Sequence, residues 1–195
     1  MSMKRFKKGD TLIEVTLAVA VFSMVMVVGI GAMNGGMART QASLQLSLAR
    51  DAMNSQAETL RYINYIYLNK YASGSGDMFS KWREITAKAK TSATRLNNCP
   101  VKPADYNALN AIAVNVNDSS LPLITGDGAI TPANTYPQLF VSGATTKSQG
   151  MWIEVVRPPA RSGYYDFHIR ACWIAPGNNI PTTLGTIVRL YDPAQ

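Results

Sequence analysis

Apolar and polar positions divide the chain into three regimes. From Val15 to Ala38, 24 residues pass without a formal charge. After Arg39 the pattern becomes amphipathic: Leu46, Ala49, Met53, Ala57, Leu60, Ile63 and Tyr67 recur at steps of three or four, while Arg50, Asp51, Glu58 and Arg61 fall elsewhere. That is the apolar stripe of a helix laid on a core. The turn residues Ala72-Ser73-Gly74-Ser75-Gly76 close it. One helix is therefore predicted from about Thr11 to about Tyr71, roughly 90 Å long at about 1.5 Å per residue. A rod of that length has two tasks, one for its uniformly apolar half and one for its striped half.

The third regime is mixed. Asp77 is placed to cap a second helix carrying Phe79, Trp82 and Ile85 and fading towards Asn97-Asn98, and a further short helix is predicted near Pro103-Ala104-Asp105. From about Ala111 the character changes to strands separated by Gly, Pro, Asn and Ser: Ala111–Val114, Gln138–Val141, Met151–Val156, Tyr164–Trp173 and Thr186–Tyr191. Within the fourth, Tyr165, Phe167, Ile169, Ala171 and Trp173 alternate with Asp166, His168, Arg170 and Cys172, giving one apolar and one polar face.

Charge changes this picture at one end. The chain has 195 residues and a formal net charge of +7, which by itself points to an anionic partner. Four basic residues, Lys4, Arg5, Lys7 and Lys8, lie ahead of Gly9 with no acid among them, and removing them leaves +3 for the rest. The excess is largely a topology signal. The segment Val15–Ala38 spans about 36 Å as a helix, enough to cross a hydrocarbon core of about 30 Å. Basic residues before it place the N-terminus in the cytoplasm and the remainder outside. A secretory leader cut near Gly31-Ala32 shares these features, but Glu14 argues against it. A carboxylate in such a segment costs about 2.5 to 3.5 kcal/mol on insertion and is usually functional and paired.

Lys8-Gly9 followed by Asp10-Thr11-Leu12-Ile13-Glu14-Val15, opening a long apolar helix, resembles the class III leader of type IV pilins and of the pseudopilins of type II secretion. The resemblance implies a leader of residues 1–9, cut between Gly9 and Asp10 by a prepilin peptidase that then N-methylates Asp10, with the helix retained. It further implies that Glu14 meets the free terminal ammonium of a neighbouring subunit during filament assembly, a pairing that recovers Coulomb energy for a buried carboxylate. The first mature residue in that family is most often Phe. Asp10 stands in its place, which favours a minor subunit over a major one.

The architecture implied is α+β: residues 10–38 as membrane and filament-core helix, 39–71 as its amphipathic continuation, and 72–195 as an exported domain whose small antiparallel sheet lies over the outer half of the helix. Gly29, Gly31, Gly35 and Gly36 make the joint the softest part of the rod, each costing about 1 kcal/mol relative to Ala, and Gly31 to Gly35 has a close-packing spacing. Cys99 and Cys172 both fall in the exported part, and an even number there favours a disulfide. The alternation of the fourth strand puts Cys172 on its polar face, so the bridge is expected at an edge. Lys81, Lys88 and Arg95, at seven-residue steps, would share a helix face as an anion-binding surface, for which a solvated face is the simpler account.

Catalytic signals are sparse. His168 is the sole histidine, so any triad or His-bearing metal cluster depends on it; its strand position reads as a surface or half-buried side chain. Asp127-Gly128 reads as a turn, lacking the alternating oxygen ligands of a calcium loop, and Asn117-Asp118-Ser119 is a formal glycosylation sequon. No enzyme activity, cofactor or metal is expected. The function expected is a minor-pilin-like structural subunit whose partners are other pilin subunits, the prepilin peptidase, the inner-membrane assembly platform and the membrane, with DNA or a surface as a ligand of the exposed domain. Its roles would be adhesion, twitching motility or DNA uptake. A pseudopilin of a secretion or competence system, or an anchored binding module that never polymerises, are the alternatives.

Overall fold

The computed structural model describes residues 10–93, 99, 107–125, 130–131, 136–158, 163–176, 178 and 180–194. It is an α+β structure of two compact units, Met1–Ala42 and Ser43–Gln195. Helix α1 covers Asp10–Lys70. Its exit is a 3-10 turn at Tyr71–Ser73 capped by Gly74, whose N–H donates to the carbonyls of Lys70 and Tyr71 at 3.1 and 3.2 Å. Gly74 has φ of 64°, a left-handed conformation that glycine adopts without steric cost.

In the first unit the side chains of residues 12–36 are exposed. An 18-residue window in this helix reaches a mean hydropathy of 2.4 with none of it buried, long and apolar enough to cross a membrane.

In the second unit the striped half of α1 becomes the core. Ala49, Met53, Ala57, Leu60, Ile63 and Tyr67 are buried, and Leu46 is half-buried. Side chains of this size each contribute about 1.5 to 3 kcal/mol when fully buried, Ala less. They face a three-stranded antiparallel sheet in the order β6-β7-β8, with β6 at Met151–Val156, β7 at Tyr164–Trp173 and β8 at Thr182–Tyr191. Residues directly opposite share a face, so Val155, Phe167 and Val188 form one row and Met151, Ala171 and Leu184 another.

Smaller sheets complete the unit. Strands β1 (Ala113–Val114) and β2 (Leu123–Ile124) pair antiparallel. In the second, β3 (Ile130–Thr131) pairs parallel to β5 (Thr145–Gln149), which pairs antiparallel to β4 (Gln138–Ser142). Gly143, at φ 64°, turns the β4–β5 hairpin, and Gly150, at φ 63°, separates β5 from β6 where the chain changes sheet.

Polar side chains on α1 fix how the helix sits on these strands. Gln56, fully buried, donates to the Val114 carbonyl and accepts from its N–H, both at 2.8 Å, satisfying the backbone of β1 from the side. Asn64 donates to the Tyr191 carbonyl at 2.9 Å, and the Trp173 indole donates to Gln45 at 3.2 Å.

Helix α2 covers Asp77–Thr86 and differs from expectation at both ends. Gly76, with φ 127°, occupies the cap position, and Asp77 sits in the first turn, where its charge still favours the helix dipole. The helix ends at Thr86 because the chain is drawn onto the edge of β6: Lys90 N–H donates to the Val155 carbonyl at 2.9 Å, and Arg157 N–H donates to the Lys90 carbonyl at 2.7 Å. Trp82 and Ile85 are buried as the periodicity predicts, with Phe79 half-buried. Asn97-Asn98 and the helix expected at Pro103-Ala104-Asp105 lie outside the described residues.

Strand β8 starts four residues before the expected Thr186, since Thr182 to Gly185 continue the ladder opposite Trp173 to Arg170.

Candidate functional site

The apolar half of α1 carries the first group of candidate residues. Asp10 is the first residue of the helix, and Gly9 lies outside the described residues. Hydroxyl groups along this stretch are satisfied by their own backbone: Thr16 donates to the Leu12 and Ile13 carbonyls at 3.1 and 2.9 Å, and Ser23 to the Val19 carbonyl at 2.7 Å. Such back-bonding hides a polar group inside an apolar helix. Glu14 is different. Its carboxylate is exposed among Leu12, Ile13, Val15 and Leu17 and makes no hydrogen bond or ion pair with the described residues.

Helix α1 is continuous through Gly29, Gly31, Gly35 and Gly36, and a Cβ at any of the four would meet no atom within 4 Å. These positions leave the backbone open on their own sides of the helix. Comparison with protein-family models, with curated proteins and with solved structures finds no match.

In the second unit Cys99 and Cys172 form a disulfide, with Cα atoms 5.6 Å apart. Its setting corrects the expectation of an edge. Cys172 is buried in a cluster with Leu109, Ala111, Ala113, Ile124 and Trp152, with Leu139 packed against it. Strand alternation identifies its face correctly, but the segment carrying Leu109 and β1 covers that face, so the bridge is a core element.

The basic positions are not carried on one helix face in the described residues. Lys81 lies on α2 and pairs with Glu84 at 3.3 Å. Lys88 falls in the turn after Thr86, where the helical seven-residue step no longer applies, and Arg95 lies outside the described residues. A face shared along one helix is therefore not formed by Lys81 and Lys88.

The partly covered face of β7 holds a row of charge. Asp166 accepts from Arg189 at 2.8 and 2.9 Å across the strands, which holds its carboxyl below the usual range, while the guanidinium lies 3.9 Å from the centre of the Tyr164 ring. Glu154, fully buried, accepts from the Trp152 indole at 3.3 Å and pairs with Arg170 at 3.4 Å. His168 is half-buried opposite Glu154 and Ile187. Burial, helped by Arg170, moves its pKa down and favours the neutral imidazole. Among the described residues no three His, Cys, Asp or Glu side chains group as metal ligands. Asp127-Gly128 lies outside them, and Asp118 of the sequon accepts from both the N–H and the hydroxyl of Ser120 at 2.8 Å in a local turn.

Sequence reasoning does not single out the polar residues that fix the packing of the second unit, namely Gln56, Asn64 and Asp192. Gln56 and Asn64 carry a signal, since both fall at stripe spacing beside Leu60. Asp192 follows a strand end and carries none.

Proposed function

We propose that this protein is a structural subunit, a minor pilin, of a type IV pilus-like filament. It enters the membrane with Lys4, Arg5, Lys7 and Lys8 inside, is cut after Gly9 by a prepilin peptidase, and is N-methylated at Asp10. It then joins a helical filament through the apolar half of α1. Glu14 and the new amino group of a neighbouring subunit set the register, and the exported domain meets the surroundings at the cell surface. Adhesion, twitching motility or DNA capture are the tasks such a domain would serve.

One observation carries the reading. Within an apolar helix whose Thr16 and Ser23 hydroxyls are hidden by their own backbone, Glu14 is the one formal charge of residues 12–38, and it is exposed and unpaired within the described chain. A carboxylate at that depth is costly unless a cation from outside the chain meets it. The α+β arrangement supports it too, since the same helix that is bare in the first unit is covered by a sheet in the second.

Mass spectrometry of the purified membrane-extracted protein tests the processing. A mature chain beginning at Asp10 with one added methyl group is expected. An intact Met1 terminus, or a cut near Ala32, overturns the reading.

A further inference from the structure

The three-stranded sheet is closed along one edge and open along the other. Beside β6, Ile112 exchanges both backbone bonds with Ile153 at 3.0 and 2.7 Å, and Lys90 N–H donates to the Val155 carbonyl at 2.9 Å. Strand β8, at the opposite edge, runs for ten residues and among the described residues pairs only with β7. The register fixes which of its groups are left over. Asp192 N–H donates to the Gly163 carbonyl at 2.9 Å, one step beyond the pair of Tyr164 and Tyr191. Bonded and non-bonded pairs alternate along an antiparallel ladder, so Thr183, Gly185, Ile187, Arg189 and Tyr191 turn their N–H and C=O groups away from β7. Asn64 takes the Tyr191 carbonyl. The backbone groups of the other four meet no hydrogen-bond partner among the described residues.

Proteins usually blunt such an edge with proline, lysine or a bulge. Strand β8 has no proline or lysine, its register with β7 is continuous, and its one charge, Arg189, is folded back onto Asp166 at 2.8 and 2.9 Å. Gly185, Thr186 and Ile187 are exposed in succession although neighbours in a strand face opposite sides, and Ile187 is 60% exposed. Two hollows flank this stretch. On the face of His168 and Arg170, one of about 370 Å³ is bordered by Thr183, Gly185 and Ile187. On the α1 face, one of about 210 Å³ lies between Leu184 and Thr186 on the strand and Arg50, Met53 and Asn54 on the helix. An added strand gains affinity from main-chain bonds to an edge and specificity from places for its alternate side chains. Charge decides the chemistry on the α1 side, where Arg50 is exposed and makes no ion pair with the described residues. The bare Ile187 decides it on the other.

We propose that β8 accepts an extended peptide segment of a partner protein as a further strand of this sheet, with acidic side chains beside Arg50 and apolar side chains over Ile187. The edge lies wholly in the second unit, so this docking does not depend on the filament reading and would persist if α1 only anchored the domain.

The full chain in detergent micelles, labelled with nitrogen-15, is titrated with a blocked peptide of alternating valine and glutamate. Saturable binding is expected, with the Gly185 and Ile187 amides gaining at least tenfold in protection from hydrogen exchange and Thr186 and Val188, already bonded to β7, gaining less. Ile187→Pro removes one outward donor without touching the β7 ladder and should abolish binding, while the Phe167 amide reports that the sheet is kept. R50Q leaves the strand unaltered and decides independently. It should weaken the peptide about three- to fivefold, the range of an exposed ion pair, and leave the affinity for a valine–threonine peptide unchanged. Shifts that never saturate, equal protection of outward and inward amides, or equal affinity of wild type and R50Q for the glutamate peptide would overturn the proposal. Protection of Gly185 and Ile187 that exists without peptide and grows with protein concentration would assign the edge to a second copy of the chain and overturn it too.

Discussion

The hydroxyl of Tyr67 donates to Oδ1 of Asp192 at 2.7 Å, joining residues 125 positions apart in the chain. The second carboxylate oxygen accepts from Trp82, so one side chain after the last strand binds α1 and α2 together. Asp192→Ala leaves a buried phenol and a buried indole without acceptors, each costing about 1 to 3 kcal/mol. A loss near 3 kcal/mol corresponds to a Tm lower by roughly 6 to 12 °C for a chain of this size. Thermal unfolding of the full chain in detergent, followed by near-ultraviolet circular dichroism, measures it.

The same contact predicts an alkaline limit. Burial first, and then the hydrogen bond to Asp192, raise the Tyr67 pKa, and burial raises that of Tyr165. A raised folded-state value means that the stabilisation is complete below the unfolded phenol pKa of about 10 and is lost as pH climbs towards the folded value. Stability should therefore fall between about pH 10 and 12, and Tyr67→Phe should flatten the profile while costing stability at neutral pH. Denaturant midpoints collected from pH 8 to 12 give the comparison. Equal slopes in the two proteins would remove Tyr67 as the cause.

Gln56 clamps β1 by bonding both backbone groups of Val114. Gln56→Leu keeps the volume and removes both partners, exposing a short strand to two unmet backbone groups at about 1 to 3 kcal/mol each. The expected destabilisation is about 2 to 6 kcal/mol. Hydrogen exchange at the Val114 amide should quicken more than at Phe167 in the central strand.

Removing the disulfide with Cys99→Ser and Cys172→Ser together releases a loop whose ends are 73 residues apart. The chain-entropy account puts the loss at about 4 kcal/mol, and Cys172 lies in the apolar cluster around Trp152, where a serine hydroxyl is poorly received. Tm should fall by roughly 8 to 16 °C. Reduction of the native protein should reproduce most of this shift.

The parts of this fold legible in sequence are those with strong periodicity. The stripe from Ala49 to Tyr67 and the alternation of Tyr165 to Trp173 each bury the side they predict, because a helix or strand against a core has few other ways to hide that many apolar groups. Strand β5, Thr-Thr-Lys-Ser-Gln, has no apolar alternation and is held by its pairing with β4, so no local signal marks it. Lys88 reads as a continuation of Lys81 when helix length is taken from composition, whereas the helix end is set by a distant strand edge reaching Lys90. The burial of Cys172 depends likewise on which segment covers a face, and strand alternation is silent on that. Glu14 is visible at once, since a lone acid in an apolar run stands out whatever the fold.

That acid supports the sharpest test of the proposed filament. Glu14→Ala removes a carboxylate whose insertion costs about 2.5 to 3.5 kcal/mol, so membrane insertion should be no worse than in the wild type. Leader removal should also persist, because Gly9 and the basic residues before it are unchanged. Assembly should fail, since the neighbouring subunit's amino group loses the partner that repays its own burial. Quantitative blotting should then find the variant within twofold of wild type in membranes and at least tenfold depleted from sheared filaments. Glu14→Gln, which retains hydrogen bonding without charge, should fall between. Wild-type incorporation of Glu14→Ala would show that the carboxylate has no part in register, and the reading of α1 as a filament helix would lose its main support.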